Sequence, residues 1–280
     1  MRVQAGDVRL FFDVEGAKLR VDGPTMREVP TLLLLHGGPG FDHSIFKPEM
    51  SALADIAQIV YLDHRGNGRS DRDSPERWNL EQWGDDIHAF CEALEIERPI
   101  VMGESFGGMV ALAYATRHPE HPGKLILAST AAKIRPDRSL AVFERLGGKE
   151  ARDIAQRFFD DPSPVAMAEY AKKCLPLYSQ CQRSAEWMAR SIQNLDLAAF
   201  FFKREIRTFD FLPQLGRIRC PTLITAGEMD PITPIGNSED IANSIGSRLA
   251  RLERFKNSGH GVHHDEPEHF DRVVREFIAS

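Results

Sequence analysis

One serine lies in a glycine-flanked segment whose residue types suit nucleophilic chemistry. The segment Gly103-Glu104-Ser105-Phe106-Gly107 matches the pattern G-x-S-x-G, with the apolar run Ile100 to Met102 before it and the largely apolar run Met109 to Ala115 after it. A strand, a sharp turn and a helix in this order would project the Ser105 hydroxyl, and the glycines would relieve backbone crowding. The alternative is an ordinary glycine-rich turn with a solvated serine.

A serine hydroxyl is a weak nucleophile at neutral pH. It needs a histidine that accepts its proton and a carboxylate that orients this histidine. Asp230 and His260 each follow a predicted strand, and the chain order is then Ser, Asp, His. We favour Asp230 over Glu228 and Asp240 because it stands just past the strand end, at the expected place in the chain.

Other histidines compete with His260 for the role of base. His263, His264 and His269 are close in sequence, and we expect His269 to be solvated on a terminal helix. The run from His263 to Glu266 lacks a helical i, i+4 pair of metal ligands, so we expect no metal here. We expect His36 to hydrogen-bond within its own loop.

An oxyanion hole would supply backbone N–H groups to the charge that develops on a carbonyl oxygen. One donor is expected from Phe106, the residue after the nucleophile. The other is expected from the loop His36 to Gly40, with Gly38 as the best candidate. The alternative is that this loop is simply a tight turn. Side chains of the next loop, Asp63, Arg65 and Ser70, are expected to tie neighbouring loops together through charge-assisted bonds.

Strands and helices must alternate to position these groups. Apolar runs without alternation are typical of strands that helices cover on both faces; they are Thr31 to Leu35, Ala57 to Leu62, Ile100 to Met102, Lys124 to Ala128, Cys220 to Gly227 and Leu249 to Phe255. We therefore predict an α/β fold with a doubly covered, mostly parallel sheet, whose ligands bind beyond the carboxyl ends of the strands. The alternation in Val8 to Val14 and in Lys18 to Val21 predicts an antiparallel hairpin at the sheet edge.

Helical periodicity without a convincing strand marks residues 132–213. We expect this segment to be a helical cap inserted between residues 1–131 and 214–280, which form the two parts of the α/β core. Its many phenylalanines, Phe143, Phe158, Phe159, Phe200, Phe201, Phe202, Phe209 and Phe211, suggest a substrate with an apolar group.

Composition excludes several classes of function. The 280 residues carry a formal net charge of −6, and no cluster of lysine or arginine stands out, so we expect neither a nucleic-acid nor an anionic-membrane partner. The four cysteines show no metal-ligand spacing and are expected to be reduced. The first residues lack the apolar run of a secretory signal, so we expect a cytoplasmic protein.

Taken together, the His36 to Gly40 loop, the Asp63 to Ser70 loop, the serine motif, Asp230 and His260 resemble the α/β-hydrolase superfamily. The H-G-G-P-G loop looks like that of the proline iminopeptidase branch of serine aminopeptidases. The resemblance implies a cofactor-free serine hydrolase with the triad Ser105, Asp230 and His260, with Phe106 and Gly38 as oxyanion donors, and with a cap that decides the substrate.

Two positions depart from the proline iminopeptidase pattern. That branch carries tryptophan after the nucleophile and glutamine in a D-Q-R-G motif, whereas this chain has Phe106 and His64. Its members also bind the substrate's amino group with cap glutamates, for which Glu169 and Glu205 are the candidates here.

From this resemblance we expect cleavage of a small amide or ester through an acyl-enzyme. An N-terminal aminopeptidase acting on a short peptide comes first, and a carboxylesterase or lactonase comes next. A ligand-binding protein that retains the triad but turns over little is the alternative from another class.

Overall fold

The computed structural model describes residues 1–181 and 186–280. Its strands are β1 (Arg2–Ala5), β2 (Val8–Glu15), β3 (Leu19–Asp22), β4 (Thr25–Glu28), β5 (Thr31–Leu35), β6 (Gln58–Leu62), β7 (Ile100–Glu104), β8 (Lys124–Ala128), β9 (Thr222–Gly227) and β10 (Ala250–Phe255). Its α-helices are α1 (Leu80–Ala93), α2 (Phe106–Arg117), α3 (Pro136–Asp160), α4 (Pro164–Lys173), α5 (Glu186–Arg190), α6 (Leu195–Lys203), α7 (Glu205–Thr208), α8 (Ile235–Ile245), α9 (Val262–Asp265) and α10 (Pro267–Ala279).

Within these ranges, eight strands form one sheet in the order β1-β2-β6-β5-β7-β8-β9-β10. The strands from β6 to β10 in this order are parallel, and β1 and β2 add an antiparallel edge. The prediction of a mostly parallel α/β sheet is confirmed. The strand order reverses between β5 and β7, so the loops after these strands diverge and leave a crevice at the carboxyl edge of the sheet.

The predicted pairing at the sheet edge is wrong. Strand β2 pairs with β1 and β6, whereas β3 pairs with β4 in a separate two-stranded sheet. Two-residue loops explain the difference, because Gly6 and Gly23 each adopt a positive φ, near 59° and 58°, at the start of a tight hairpin turn. Each hairpin therefore forms locally, and the segment between β2 and β3 only connects them.

Helices cover both faces of the sheet, and β5 contributes to both cores. Leu33 and Leu35 pack into the core beneath α1 and α2, whereas Leu32 and Leu34 pack with α10 on the other face. All four leucines are fully buried. A strand that is apolar at every position is therefore what a doubly covered sheet requires.

The chain between β8 and β9 is helical in its described part, which contains no strand. Helices α3 to α7 and the 3₁₀ turns Leu175–Tyr178 and Leu212–Arg217 make it up, and α3 is interrupted at Gly148, whose φ is 72°. It has a small core of its own around Phe143, Phe158 and Tyr170. No helix of the described ranges combines the length and the apolarity needed to cross a bilayer.

Candidate active site

Ser105 occupies the turn between β7 and α2 in a conformation that few non-glycine residues adopt. Its φ is 53° and its ψ is −118°. Strain of this kind persists only where neighbouring bonds hold the backbone. The Ser105 N–H donates to the Ala128 carbonyl at 2.9 Å, and the Thr130 hydroxyl donates to the Ser105 carbonyl at 2.7 Å. The end of strand β8 and the residues that follow it thus fix the serine at the carboxyl edge of the sheet.

Three glycines allow the turn to be this sharp. A Cβ on Gly103 or on Gly107 would lie closer than 3.0 Å to backbone atoms, those of Gly107 and Leu35 respectively. A Cβ on Gly108 would collide with the Thr130 side chain. This role was predicted for Gly103 and Gly107 from the G-x-S-x-G pattern, and their close backbone approaches confirm it. The role of Gly108 lies outside this pattern, because it depends on where the fold places the Thr130 side chain.

The predicted oxyanion loop lies beside the serine. Leu35 pairs with Gly103 in the sheet register, so the loop after β5 and the turn after β7 begin side by side. A Cβ placed on Gly37 would be 3.5 Å from the Ser105 Cβ. Gly38 has a φ of 126°, a backbone conformation that favours glycine.

Two asparagines hold this loop from different directions. The Gly40 N–H donates to the Asn67 side-chain oxygen at 2.8 Å, and the Asn194 N–H donates to the Gly40 carbonyl at 2.8 Å. The Asn194 side chain also donates to the Gly66 carbonyl at 2.8 Å and accepts from Leu197 N–H as the N-cap of α6. The helical segment is therefore fastened to both loops at the crevice.

Phe106 provides the first N–H of α2, which has no acceptor within the helix. Its ring is buried in edge-on contacts with Trp83 and Phe201, whose centroids lie 4.9 and 5.2 Å away. The ring of His64 also meets Phe106 edge-on at 5.4 Å. The two departures from the proline iminopeptidase pattern, Phe106 and His64, are thus in direct contact with each other.

Asp230 and His260 are brought together by the loops that follow β9 and β10. The His260 Nδ1 lies 2.8 Å from the Asp230 Oδ2. The Thr233 hydroxyl donates to the same carboxylate oxygen at 2.7 Å, and the N–H groups of Ile232 and Thr233 donate to Oδ1 at 2.8 and 3.0 Å. Asp230 is fully buried, so these donors supply the hydrogen bonds that water would otherwise provide.

The charge of Asp230 is stabilised within this arrangement. Burial pushes its pKa upward, but the attraction of His260 and the hydrogen bonds from His260 and Thr233 outweigh burial, so the pKa lies below its ordinary value. An ionised carboxylate that accepts from Nδ1 of an imidazole leaves Nε2 as the proton acceptor. This pair can therefore act as a general base unit.

His36 and His64 are buried side by side, with ring centroids 4.6 Å apart. The His36 Nδ1 lies 2.8 Å from the Gly37 carbonyl, which confirms the predicted bond within its loop. Burial lowers the pKa of both imidazoles, that of His64 well below its ordinary range, although Asp63 opposes the shift. Both rings are therefore uncharged at neutral pH.

The loop after β6 ties its neighbours together as predicted. The Asp63 carboxylate accepts from the backbone N–H groups of His43 and Arg69 at 2.9 and 2.8 Å, and the Ser70 hydroxyl donates to the Asp63 carbonyl at 2.6 Å. Arg65 is completely buried, and its guanidinium binds both oxygens of Asp86 at 2.7 and 2.8 Å. These bonds hold in place the loop that carries Asn67.

A carboxylate that the sequence analysis missed connects the helical segment to the loop of His260. Asp265 accepts from the Ser179 hydroxyl at 2.5 Å and from the N–H groups of Gln180 and Cys181 at 2.9 and 3.1 Å. Its other oxygen accepts from the Gly259 N–H at 2.7 Å. We call Asp265 with these four donors the Asp265 clamp.

Tyr178, which precedes Ser179 in the chain, reinforces the connection between the helical segment and the loop of His260. The His260 N–H donates to the Tyr178 carbonyl at 2.6 Å, and the Tyr178 ring lies 5.3 Å from the His260 ring, edge-on. No local pattern in the sequence could reveal these contacts, since about 80 residues separate the partners. Thr233 was also missed, although its place three residues after Asp230 is typical of an aspartate-initiated turn.

The two cap glutamates lie in separate places, and their carboxylates have protein partners. Glu169 on α4 forms an exposed ion pair with Arg157, with an N–O distance of 2.7 Å. Glu205 is half-buried and accepts from the Leu80 N–H at the start of α1, at 3.0 Å. Burial raises the pKa of Glu205. Their assignment to substrate binding stays a prediction.

The buried phenylalanines of the helical segment are divided between the segment's own core and the core of the α/β sheet. Phe143 and Phe158 belong to the segment's own core, and Phe201, Phe209 and Phe211 belong to the core beneath α1 and α2. Phe41 directly follows the predicted oxyanion loop, and its ring lies 5.6 Å from that of Trp187. A Cβ on Gly38 would lie 3.2 Å from the Phe41 ring.

The competing histidines have other surroundings. His263 lies on α9, with its Nδ1 3.8 Å from the Glu104 carboxylate. His269 lies on α10, where its ring packs 4.4 Å from that of Phe255 and its Nε2 is 3.2 Å from Glu253. It is therefore only partly exposed, and the expectation of a solvated His269 is wrong. His260, by contrast, has its Nδ1 2.8 Å from the Asp230 carboxylate.

Known proteins share this architecture. The sequence profile of the family described as having the alpha/beta hydrolase fold matches residues 30–267. A putative carbamate hydrolase, RutD, from Rhizobium rhizogenes is 31% identical over 279 residues, covering 97% of this chain and 98% of its own. The proline iminopeptidase PfmaB from Pestalotiopsis fici is 28% identical over 284 residues, covering 96% and 98%.

A solved structure agrees with these relatives in fold. The esterase EaEST from Exiguobacterium antarcticum superposes with a TM-score of 0.74 at 21% identity, over 100% of this chain and 99% of its own. The profile match covers most of the chain, and the sheet order agrees with it. The chain is therefore a member of the α/β-hydrolase fold family, and it is an enzyme of that family.

Proposed function

We propose that this enzyme is a serine hydrolase in which Ser105, His260 and Asp230 form the triad. The observation that carries the proposal is the pairing of His260 with the buried Asp230 at 2.8 Å, at the same sheet edge as the strained Ser105. In this mechanism Nε2 of His260 takes the Ser105 proton while the hydroxyl oxygen attacks the substrate carbonyl.

The N–H groups of Phe106 and Gly38 would bind the oxyanion that forms in this step. His260 would then pass its proton to the leaving group, and water would hydrolyse the acyl-enzyme by the same route. Each step uses only side chains, backbone N–H groups and water. A donor of this kind contributes on the order of 10²-fold to 10³-fold in rate.

For the substrate, we propose a small ester or amide with an apolar, uncharged acyl group. The side chains around the oxyanion loop support this, because Phe41, Trp187 and Ile45 are apolar there. The contacts of the two cap glutamates also support an uncharged acyl group, since Glu169 pairs with Arg157 and Glu205 accepts from the N–H at the start of α1. A carboxylate that is already paired is poorly placed to bind a substrate's ammonium group.

A second candidate is the removal of an N-terminal residue, as in a proline iminopeptidase. The H-G-G-P-G loop and the relative PfmaB favour it. This activity requires recognition of a free amino group. The helical segment, residues 132–213, would then act as the cap that supplies the carboxylates, as the sequence resemblance implies.

A matched pair of substrates separates the two candidates. L-Proline p-nitroanilide and cyclopentanecarboxylic acid p-nitroanilide have acyl rings of the same size and differ in the ring amine. A site built to bind that amine would favour the prolyl compound by about 10⁴-fold in kcat/KM. We expect the uncharged acyl group to be cleaved at least as well. A preference for proline of more than about 10²-fold would overturn our substrate proposal.

Covalent labelling tests the enzyme mechanism itself. A fluorophosphonate probe should label the folded protein at Ser105, and Ser105→Ala should abolish labelling. The natural control is Ser129→Ala, since Ser129 is a buried serine after the adjacent strand β8. If folded wild-type protein is not labelled while it binds apolar esters, a ligand-binding protein is the better description.

A further inference from the structure

Three histidines converge on a surface that the proposed mechanism does not use. The His88 ring on α1 stacks on the His118 ring, just past α2, with centroids 4.1 Å apart. The His121 ring, in the loop before β8, lies 4.8 Å from the His88 ring. Helix α2 begins at the residue after Ser105 and has 12 residues. At about 1.5 Å per residue, the cluster is therefore about 18 Å from the serine.

A carboxylate completes a metal-binding set. Glu92 follows His88 by four residues on α1, so both side chains lie on one face of the helix. One ligand atom from each of His88, Glu92 and His121 lies within 4.8 Å of the others. Tetrahedral ligands around Zn²⁺ are about 3.3 Å apart, so small side-chain rotations would close the set. The histidines are partly buried and Glu92 is exposed, which leaves a path for an ion.

Neighbouring groups orient the imidazoles. The Tyr114 hydroxyl forms a short hydrogen bond with the His121 Nδ1. In the tautomer where Nδ1–H donates to the phenol oxygen, Nε2 of His121 is the unprotonated nitrogen that can bind an ion, and the Ile96 carbonyl also lies near this ring. Asp85 accepts from His118 Nε2 at 2.8 Å and also pairs with Arg117, so it holds the ring that stacks on His88.

We infer that His88, Glu92 and His121 form a surface site for a divalent transition metal ion, with the open positions taken by water. Two imidazoles and one carboxylate suit Zn²⁺, Cu²⁺ or Ni²⁺ better than Mg²⁺ or Ca²⁺. The ion would link α1 to the loop between α2 and β8. Spacing along the sequence does not reveal the site, because His121 comes near His88 only when α2 packs on α1.

Calorimetric titration of the chelator-treated 280-residue chain with ZnCl₂ tests the inference. We expect one Zn²⁺ per chain and a thermal unfolding midpoint that rises with zinc concentration. His88→Gln and Glu92→Gln should each weaken zinc binding at least tenfold. His269→Gln is the matched control, since it removes a partly exposed histidine from α10 and should leave the affinity unchanged.

Two further measurements keep the inference falsifiable. Metal-free unfolding curves should coincide for the wild type and for Glu92→Gln, so that weaker binding is not a folding defect. Co²⁺ should give visible absorption bands in the wild type that His88→Gln removes. Wild-type protein that binds no zinc, or zinc affinity that survives the combined replacement of His88, Glu92 and His121 by glutamine, would overturn the site.

Discussion

The Asp265 clamp offers a way to separate the position of His260 from its chemistry. We predict that Asp265→Asn destabilises the protein and slows catalysis without altering any group of the proposed triad. The amide keeps one accepting oxygen but turns an NH₂ group toward either Gly259 or the residues 179–181. If the oxygen stays with residues 179–181, two N–H donors face each other at Gly259.

The structure sets the size of the effect on stability. The carboxylate accepts four hydrogen bonds, of which the one from the buried Gly259 N–H is 2.7 Å long. A hydrogen bond to a charged acceptor contributes about 1.5–3 kcal/mol. Because Asp265 is only half-buried, solvent screening favours the lower end of that range. We expect the free energy of unfolding at pH 7 to fall by about 1–2 kcal/mol.

The unfolding free energy that Asp265→Asn loses should depend on pH in a defined direction. Burial pushes the pKa of Asp265 upward, but the four hydrogen bonds outweigh burial and hold it below its ordinary value. A carboxyl group with a depressed pKa stabilises the folded state above its unfolded pKa, about 3.9, and this contribution is lost as pH falls through the folded value. The difference between wild type and variant should therefore persist at pH 5 and shrink below pH 4.

Catalysis should respond because the Gly259 bond positions the loop of His260. A misplacement of about 1 Å in a catalytic group costs up to about 10²-fold. We expect kcat on a small ester to fall tenfold or more, with little change in KM. Asp271→Asn is the control, since it removes an exposed carboxylate that pairs with Arg275 on the same helix. Urea unfolding and steady-state kinetics are the assays.

Either of two results would refute this reasoning. A variant with wild-type unfolding free energy would mean that the four hydrogen bonds contribute nothing net. A variant that is destabilised but keeps the wild-type kcat and pH profile would mean that the clamp serves stability alone. If Ser105→Ala also leaves activity intact, the fault lies with the proposed mechanism and not with the clamp.

Four other predictions follow from contacts described above. Ser105→Ala should lower kcat by about 10⁶-fold, because the members of a catalytic triad act as a unit, and a loss of only a few fold would show that another nucleophile is used. Asp230→Asn should lower kcat by about 10⁴-fold at pH 7 by favouring the wrong His260 tautomer, as a pH–rate profile would record; an unchanged rate would exclude Asp230 as the carboxylate. Gly107→Ala should cost at least about 1–3 kcal/mol in unfolding free energy because its Cβ meets backbone, whereas Gly216→Ala, with open space around it, should be nearly neutral in urea unfolding; equal effects would contradict the close approach. Arg65→Gln should lower the free energy of unfolding by about 3–5 kcal/mol, because it leaves the charge of buried Asp86 uncompensated. Arg157→Gln, on the surface, should lower it by at most about 1 kcal/mol, and similar losses for the two variants would mean that the buried network is not coupled.

The strands and the serine turn could be predicted because each depends on a local pattern. The predicted run Thr31 to Leu35 coincides with β5, and Lys124 to Ala128 coincides with β8. Gly103 and Gly107 could be assigned their role because the crowding they relieve lies within one turn or against the adjacent strand. The pairing of Asp230 with His260 followed from their places after neighbouring parallel strands.

Contacts between distant segments could not be predicted in the same way. The Asp265 clamp joins residues separated by more than 80 positions, and nothing near Asp265 in the sequence marks its partners. The phenylalanines of the helical segment suggested a substrate with an apolar group, because composition alone cannot distinguish rings that fill a core from rings that line a cleft. Glu205 was selected by type, whereas its partner at the start of α1 depends on tertiary packing.

The position of Asn194 has a consequence for building chimeric enzymes. Its backbone and side chain satisfy the carbonyls of Gly40 and Gly66, one in the oxyanion loop and one in the loop after β6. A transplanted helical insert without an amide donor there would remove one of two hydrogen bonds that the Gly66 carbonyl accepts, the other coming from the Arg72 guanidinium at 3.1 Å. Graft junctions should therefore keep this asparagine with the recipient scaffold, so that a new specificity module does not disturb the oxyanion loop.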